Sequence, residues 1–177
     1  MEWIKKFAKI RYILIFFITS ILCLTVITII QIRLADHNFP QILDMQVAFS
    51  YDQAFSQINR YSEAGIILYT WFQAMDVLFQ VGYGMLFSCL TAFFIMKLFP
   101  KKPWMLWLSA AGIGAACFDL MENIGIFIMI RIHPEPYRAL SAIVSAAGVI
   151  KIALFYLCVA FCIICTIILW AKRIFRN

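Results

Sequence analysis

The sequence predicts an all-α protein, a four-helix transmembrane bundle with a small folded extracytoplasmic loop between its first and second helices. Three observations predict it. The 177 residues are 64% hydrophobic and only 14% charged, whereas a soluble domain carries about a quarter charged residues. The apolar residues gather into four runs, each able to supply the approximately 20 residues that cross a hydrocarbon core. Basic residues flank these runs unequally, ten on one side and four on the other.

The chain reads as a single integral membrane domain, 1–177, without a Gly/Ser/Pro-rich linker, low-complexity segment or internal repeat. Its net charge of +6 does not point to nucleic acid, because the basic residues stand beside apolar runs. The expected partners are membrane lipids, with a lipid-like small molecule and a homo-oligomer as further candidates. The sequence leaves any cofactor open.

The first span covers about 12–31. Lys5, Lys6, Lys9 and Arg11 precede it in the manner of a signal peptide. The run is long enough to span and no small-x-small cleavage site follows, so it reads as an uncleaved signal anchor. The second span covers about 76–96, with a helical extension from about residue 64. The third covers about 104–130 and the fourth about 141–170. Helices are expected because a lone strand leaves backbone groups unsatisfied in lipid.

Orientation follows from the basic residues. Lys5, Lys6, Lys9, Arg11, Lys97, Lys101, Lys102, Lys172, Arg173 and Arg176 fall on one side; Arg33, Arg60, Arg131 and Arg138 fall on the other. The basic-rich side is the cytoplasmic one, which places both termini there, in a bacterial inner membrane. Trp3, Trp104, Trp107 and Trp170 lie near the same boundary, as interfacial anchors do.

The outer loop, 32–63, is expected to form a cap. Leu43, Met45, Val47 and Phe49 alternate with Asp44, Gln46, Ala48 and Ser50, a period of two that suggests an extended segment resting on an apolar surface. Ser50-Tyr51-Asp52-Gln53 fits a capping box that opens a short helix to about Tyr61. The cap either covers helix ends or serves as a substrate lid or docking surface.

Asp76, Asp119, Glu122, Asn123 and Lys151 interrupt the apolar spans. At about 1.5 Å per helical residue, Asp76 lies roughly 31 Å from Lys97, Lys151 roughly 31 Å from Lys172, and Glu122 roughly 30 Å from Lys102. Three helices therefore bring charges to one level near the outer edge of the hydrocarbon. Tyr69, Gln73, Asp76, Gln80 and Tyr83 form one stripe on the second span, while Asp119, Glu122 and Asn123 share a face of the third, continued by Gly112, Ala115 and Ala116. On the fourth, Ser141, Ser145, Gly148 and Lys151 form a stripe extended by Cys158, Cys162 and Cys165. Small and polar residues in a span face other helices or a wet cavity. Three carboxylates to one ammonium need compensation: Arg33 or Arg131 folding in, a metal, or a carboxyl that keeps its proton.

Two readings of the cluster follow. In a ligand or catalytic site, Glu122 and Asp119 form an acid/base pair, Lys151 holds the charge balance, and Asp76, Asn123, Gln80 and Tyr83 bind the polar head of a lipid-like or isoprenoid-like amphiphile. In a helix lock, Lys151 pairs with Glu122 or Asp119, and Asp76 caps or snorkels at the interface. Ion or proton passage is the weaker alternative, because the inner half of the spans is chiefly apolar. Thiol redox chemistry is another: Cys162 and Cys165 make a C-x-x-C near the cytoplasmic end, with no loop cysteines to exchange with, which favours a packing role. His37 and His133 lack metal-ligand spacing with Asp44 or Glu135 and read as exposed loop residues. No phosphate loop, nucleophile elbow or H-E-x-x-H is present, and Gly82-Tyr83-Gly84 reads as a close-packing point.

Leu43-Asp44, Phe49-Ser50-Tyr51, Asp76, Tyr83-Gly84, Asp119-x-x-Glu122-Asn123 and Lys151 together resemble a family of small four-helix bacterial integral membrane proteins of unassigned function. The resemblance covers most of the chain and implies a fold, not an activity. The architecture is also similar to the emopamil-binding and sterol isomerase superfamily, whose members place acidic residues in a membrane cavity. The catalytic histidine of that superfamily has no match within a span here, so this likeness is one of architecture.

Overall fold

A computed structural model describes residues 2–36 and 42–174, and their regular structure is helical throughout. Six α-helices form: α1 (Glu2–Phe7), α2 (Ile10–Asp36), α3 (Tyr51–Ile58), α4 (Glu63–Leu98), α5 (Ala110–Ile132) and α6 (Arg138–Ile174). A 3₁₀ segment, Pro103–Ser109, leads into α5 and extends the third apolar helix to Pro103–Ile132. Together with Ile10–Ala35, Glu63–Leu98 and Arg138–Ile174, this gives four helices long and apolar enough to cross a membrane.

The second of these is one uninterrupted helix. Ser62 caps α4 by accepting a hydrogen bond from the Gly65 N–H, and the helix then runs 36 residues, or about 54 Å. The expected extension before residue 76 is therefore continuous with the span. Polar residues along its first half face packed neighbours, so they do not break it.

α4 is the centre of the bundle. It packs against α2 on one flank and α5 on the other, and α6 packs on α5 with a smaller contact to α4. α2 and α6 make no comparable contact with each other. Glycines allow the close approaches. A Cβ at Gly112 would stand 2.8 Å from the Gly84 carbonyl oxygen and 2.8 Å from the Ser88 nitrogen, so α4 and α5 meet backbone to backbone. A Cβ at Gly82 would lie 2.8 Å from Ser20 Oγ on α2. The Gly82-Tyr83-Gly84 segment is thus a packing point on two sides, as small residues in membrane helices allow.

The loop between α2 and α4 folds into a cap. Ser50 accepts from the Gln53 N–H, and the Gln53 side chain accepts from the Ser50 N–H, completing the expected capping box. Ala54 and Ile58 of α3, with Leu43, Phe49 and Tyr61, join Tyr69, Phe72, Ile126, Met129, Tyr137 and Val144 in one apolar cluster at this end of the bundle. Burial pushes the Tyr137 phenol up to about 12, so its contacts with Tyr51 and Phe55 are between neutral rings.

The expected extended segment in this loop is not formed. Leu43–Met45 is a 3₁₀ turn, and the alternation fails after Leu43: Met45 and Val47 are 55% and 63% exposed, whereas Leu43 and Phe49 are buried. The Phe49 N–H donates to Ser145 Oγ at 3.0 Å. The turn follows from what it must reach, because it carries Asp44 into the bundle.

At the opposite end, α1 lies against α4. Ile4 and Ala8 are buried with Cys89, Ala92, Ile95 and Leu106 in a second apolar cluster. The sequence reading treats this stretch as basic flank. The alternation of Ile4 and Ala8 with Lys5, Lys6 and Lys9 gives it one apolar face and one charged face.

Candidate functional site

Lys151 Nζ is the hub of the polar cluster. It donates to Asp44 Oδ1 and to Asp119 Oδ1, each at 2.8 Å, and lies 2.7 Å from Glu122 Oε2. An ammonium has three N–H donors and no acceptor. The directed bonds go to Asp44 and Asp119, while Glu122 is held as an ion pair with neither oxygen in hydrogen-bond geometry. The side chains are 14% exposed for Lys151, 8% for Asp44 and Asp119, and fully buried for Glu122, so solvent screens these attractions little.

Each partner arrives from a different element. Asp119 and Glu122 lie one helical turn apart on α5, Lys151 faces them from α6, and Asp44 comes down from the 3₁₀ turn of the cap. Gly148, one turn before Lys151, makes room for Glu122: a Cβ there would stand 2.6 Å from Glu122 Oε1. Asp44, Asp119 and Glu122 bring three carboxylate oxygens within 4.8 Å of one another, a spacing that suits a cation. The ammonium of Lys151 already stands among them.

Asp76 forms a second centre. Its Oδ2 accepts from Gln80 Nε2 and from Asn123 Nδ2, both at 2.6 Å. Asn123 is held in turn by Gln73, whose Nε2 donates to the Asn123 carbonyl oxygen at 3.1 Å. Tyr83 Oη donates to Asp119 Oδ2 at 2.8 Å and so belongs to the Lys151 group. Asp76 is 6% exposed, so it does not snorkel.

The sequence-predicted residues thus fall into two neighbouring groups, Asp76 with Gln80 and Asn123, and Lys151 with Asp119, Glu122 and Tyr83, which meet in the chain at Glu122-Asn123. Arg33 and Arg131 do not join them: both are exposed, and the Arg131 guanidinium lies over the Phe127 ring. Compensation by arginine, the first of the expected routes, is absent among the described residues, and the cap adds a further carboxylate. Asp44 is the residue that sequence reasoning left out of the site. It lies outside every apolar run, so a depth argument along the helices misses it. The Leu43-Asp44 pair in the family resemblance was the available signal.

A cavity of about 460 Å³ adjoins the network. Asp44, Asp76, Tyr83, Asp119 and Lys151 form its polar side. Leu24 and Ile27 of α2, Phe72 and Phe79 of α4, and Ile152 and Phe155 of α6 supply apolar wall, with Gln31, Met45, Val47 and Tyr156 completing the lining. The cavity lies where α2 and α6 part, with α4 behind it. Gln80, Glu122 and Asn123 do not line it; they hold the residues that do.

The remaining candidates stand apart. His133 is half-buried, not exposed, with its ring 4.6 Å from that of Phe55. His37 lies outside the described residues. Cys162 and Cys165 are free thiols, Cys165 buried and Cys162 half-buried, and neither lines the cavity.

Comparison with protein-family models, curated proteins and solved structures finds no match. The site's own geometry therefore carries the functional reading.

Proposed function

We propose that this chain is a multi-pass protein of a bacterial inner membrane, with cytoplasmic termini, that binds or acts on a lipid-like or isoprenoid-like amphiphile. The observation that carries the reading is the cavity of about 460 Å³ with one polar side, set in the seam between α2 and α6. Pockets for small ligands combine apolar walls with a few convergent polar groups, and a seam between two spans gives a hydrocarbon tail access from the bilayer. In an enzymatic version, Asp119 and Glu122 are the acid/base pair. Lys151 Nζ stands 2.8 Å from one and 2.7 Å from the other, so it balances their charge. Asp76 and Tyr83 meet the polar head, while Gln80 and Asn123 position Asp76.

The test is retention of a co-purified amphiphile. Mass spectrometry of the protein in lipid nanodiscs should find a bound species that Ile152→Trp, which fills the cavity, removes without lowering the melting temperature. Retention of the same species by a folded Ile152→Trp variant would sink the reading.

A second reading is favoured by the three carboxylates gathered on Lys151. It is a structural protein in which the cluster locks α5, α6 and the cap. Breaking one partner of a buried ion pair costs about 3–5 kcal/mol, whereas replacing the pair together costs far less. Under the lock, Glu122→Gln lowers thermal stability, and Lys151→Met, which strands three buried carboxylates, lowers it further. Under the ligand site, Glu122→Gln leaves the fold nearly intact and abolishes binding.

A further inference from the structure

Four carboxylates and one ammonium lie in or beside the polar end of the cavity. Asp44, Asp119 and Glu122 share Lys151, and both oxygens of Asp119 are engaged, by Lys151 and by Tyr83. Asp76 stands apart. It lines the cavity and is 6% exposed, yet among the described residues no lysine or arginine nitrogen lies within ion-pair reach of it. Its partners, Gln80 and Asn123, donate hydrogen bonds but bring no net charge.

Those two amides show that the arrangement is built around an acceptor. Both turn their NH₂ groups to Asp76, and their oxygens, Gln80 Oε1 and Asn123 Oδ1, are buried without a hydrogen-bond partner. Leaving a buried acceptor without a hydrogen bond is unfavourable. The network therefore forgoes two hydrogen bonds to hold Asp76 in place at the cavity wall. The rings of Phe72, Phe79, Tyr83, Phe155 and Tyr156 line the same space, and aromatic faces attract cations. An anionic head would add like charge to this wall in a low-dielectric setting, which is unfavourable. A hydroxyl head would leave the imbalance as it stands.

We propose that the cavity takes an amphiphile with a positively charged amine head, paired with Asp76 and flanked by the aromatic rings, its tail lying in the seam between α2 and α6. The proposal rests on the amphiphile-binding reading and deepens it.

The test compares dodecylamine, dodecanol and dodecyl phosphate, which share one tail length, for binding to the full chain in a neutral maltoside detergent by isothermal titration calorimetry. A charge-assisted hydrogen bond of about 1.5–3 kcal/mol predicts that dodecylamine binds roughly tenfold or more tighter than dodecanol, with dodecyl phosphate weakest. Asp76→Asn should abolish the preference, bringing the affinities for dodecylamine and dodecanol close together. If that variant does not fold, the wild-type series decides alone. Dodecanol or dodecyl phosphate binding as tightly as dodecylamine overturns the head-group assignment and leaves the amphiphile reading standing. Absence of binding by all three overturns both. Calcium chloride alone titrating the site, with no response to dodecylamine, would make it a metal site and also overturn the proposal.

Discussion

Asp44 and Lys151 are 107 residues apart in sequence and 2.8 Å apart in space. The contact ties the cap to the last membrane helix and sets Asp44 at the edge of the cavity. It gives a polar anchor to a cap whose apolar residues also cover this end of the bundle. With the Phe49 N–H to Ser145 Oγ bond and the Arg138 guanidinium over the Tyr51 ring, it attaches the cap to α6.

Asp44→Asn weakens that attachment. Lys151 keeps Asp119 and Glu122 as partners, so the expected loss is about 1–3 kcal/mol, typical of a hydrogen bond to a charged group. Hydrogen exchange across residues 42–50 should quicken by about tenfold or more, since about 1.4 kcal/mol corresponds to a factor of ten. Exchange unchanged from wild type would show that the cap is held by its apolar cluster alone.

Gly148→Ala tests the seat of Glu122. The added methyl would stand 2.6 Å from Oε1 and 3.0 Å from Cδ, and the carboxyl has no free space to retreat into because Glu122 is fully buried. A loss of about 1–3 kcal/mol is expected, as for other overpacked sites. Glu122→Asp made alongside should recover part of it by withdrawing the carboxyl one methylene. A melting temperature in detergent equal to that of wild type would place Glu122 elsewhere.

Two glycines on α5 should answer differently to the same change. At Gly112 the new Cβ meets backbone atoms of α4 at 2.8 Å, which cannot turn aside. At Gly114 it meets only Leu154 Cδ1 at 3.4 Å. Alanine gains up to about 1 kcal/mol of helix propensity over glycine. Gly114→Ala should therefore be neutral or stabilising, and Gly112→Ala destabilising by more than about 1 kcal/mol, the low end of overpacking costs. Equal melting temperatures for the two variants would contradict the backbone contact.

Topology is read by labelling. Ser56 on the cap and Lys101 in the connection before α5 are both exposed. With both termini cytoplasmic, Ser56→Cys should react with a membrane-impermeant maleimide in intact cells. Lys101→Cys should react only after permeabilisation. Labelling of Lys101→Cys alone in intact cells would invert the proposed orientation.

The helices were legible in the sequence because their signal is cumulative. Each span sums about twenty apolar residues, and no single residue decides it. The network on α4, α5 and α6 was legible for a related reason: a rise of about 1.5 Å per residue converts sequence distance into depth, which placed Asp76, Glu122 and Lys151 at one level. Asp44 escaped that ruler because no helix connects it to an anchor. Its position depends on the turn at Leu43–Met45 and on the burial of Leu43 and Phe49, which are tertiary contacts. The alternation from Leu43 to Ser50 mimicked a strand for the same reason, since two apolar residues point inward and two outward with no pleat behind them. The buried face of α1 was hidden by its lysines, which dominate the composition of a six-residue helix.

Because the cavity opens where α2 and α6 part, an amphiphile bound there as proposed would be drawn from a two-dimensional solvent. Occupancy then follows the mole fraction of the amphiphile in the bilayer, not its concentration in water. Burying a methylene is worth about 0.8 kcal/mol when it leaves water, but a tail already dissolved in lipid has gained that before it arrives. Leu24, Ile27, Phe79 and Phe155 therefore match the surroundings of the tail without favouring it over the host lipids. Discrimination against a vast excess of bulk lipid falls to the few polar atoms around Asp76 and Lys151, and a change of one charge there should reset which molecule the protein selects.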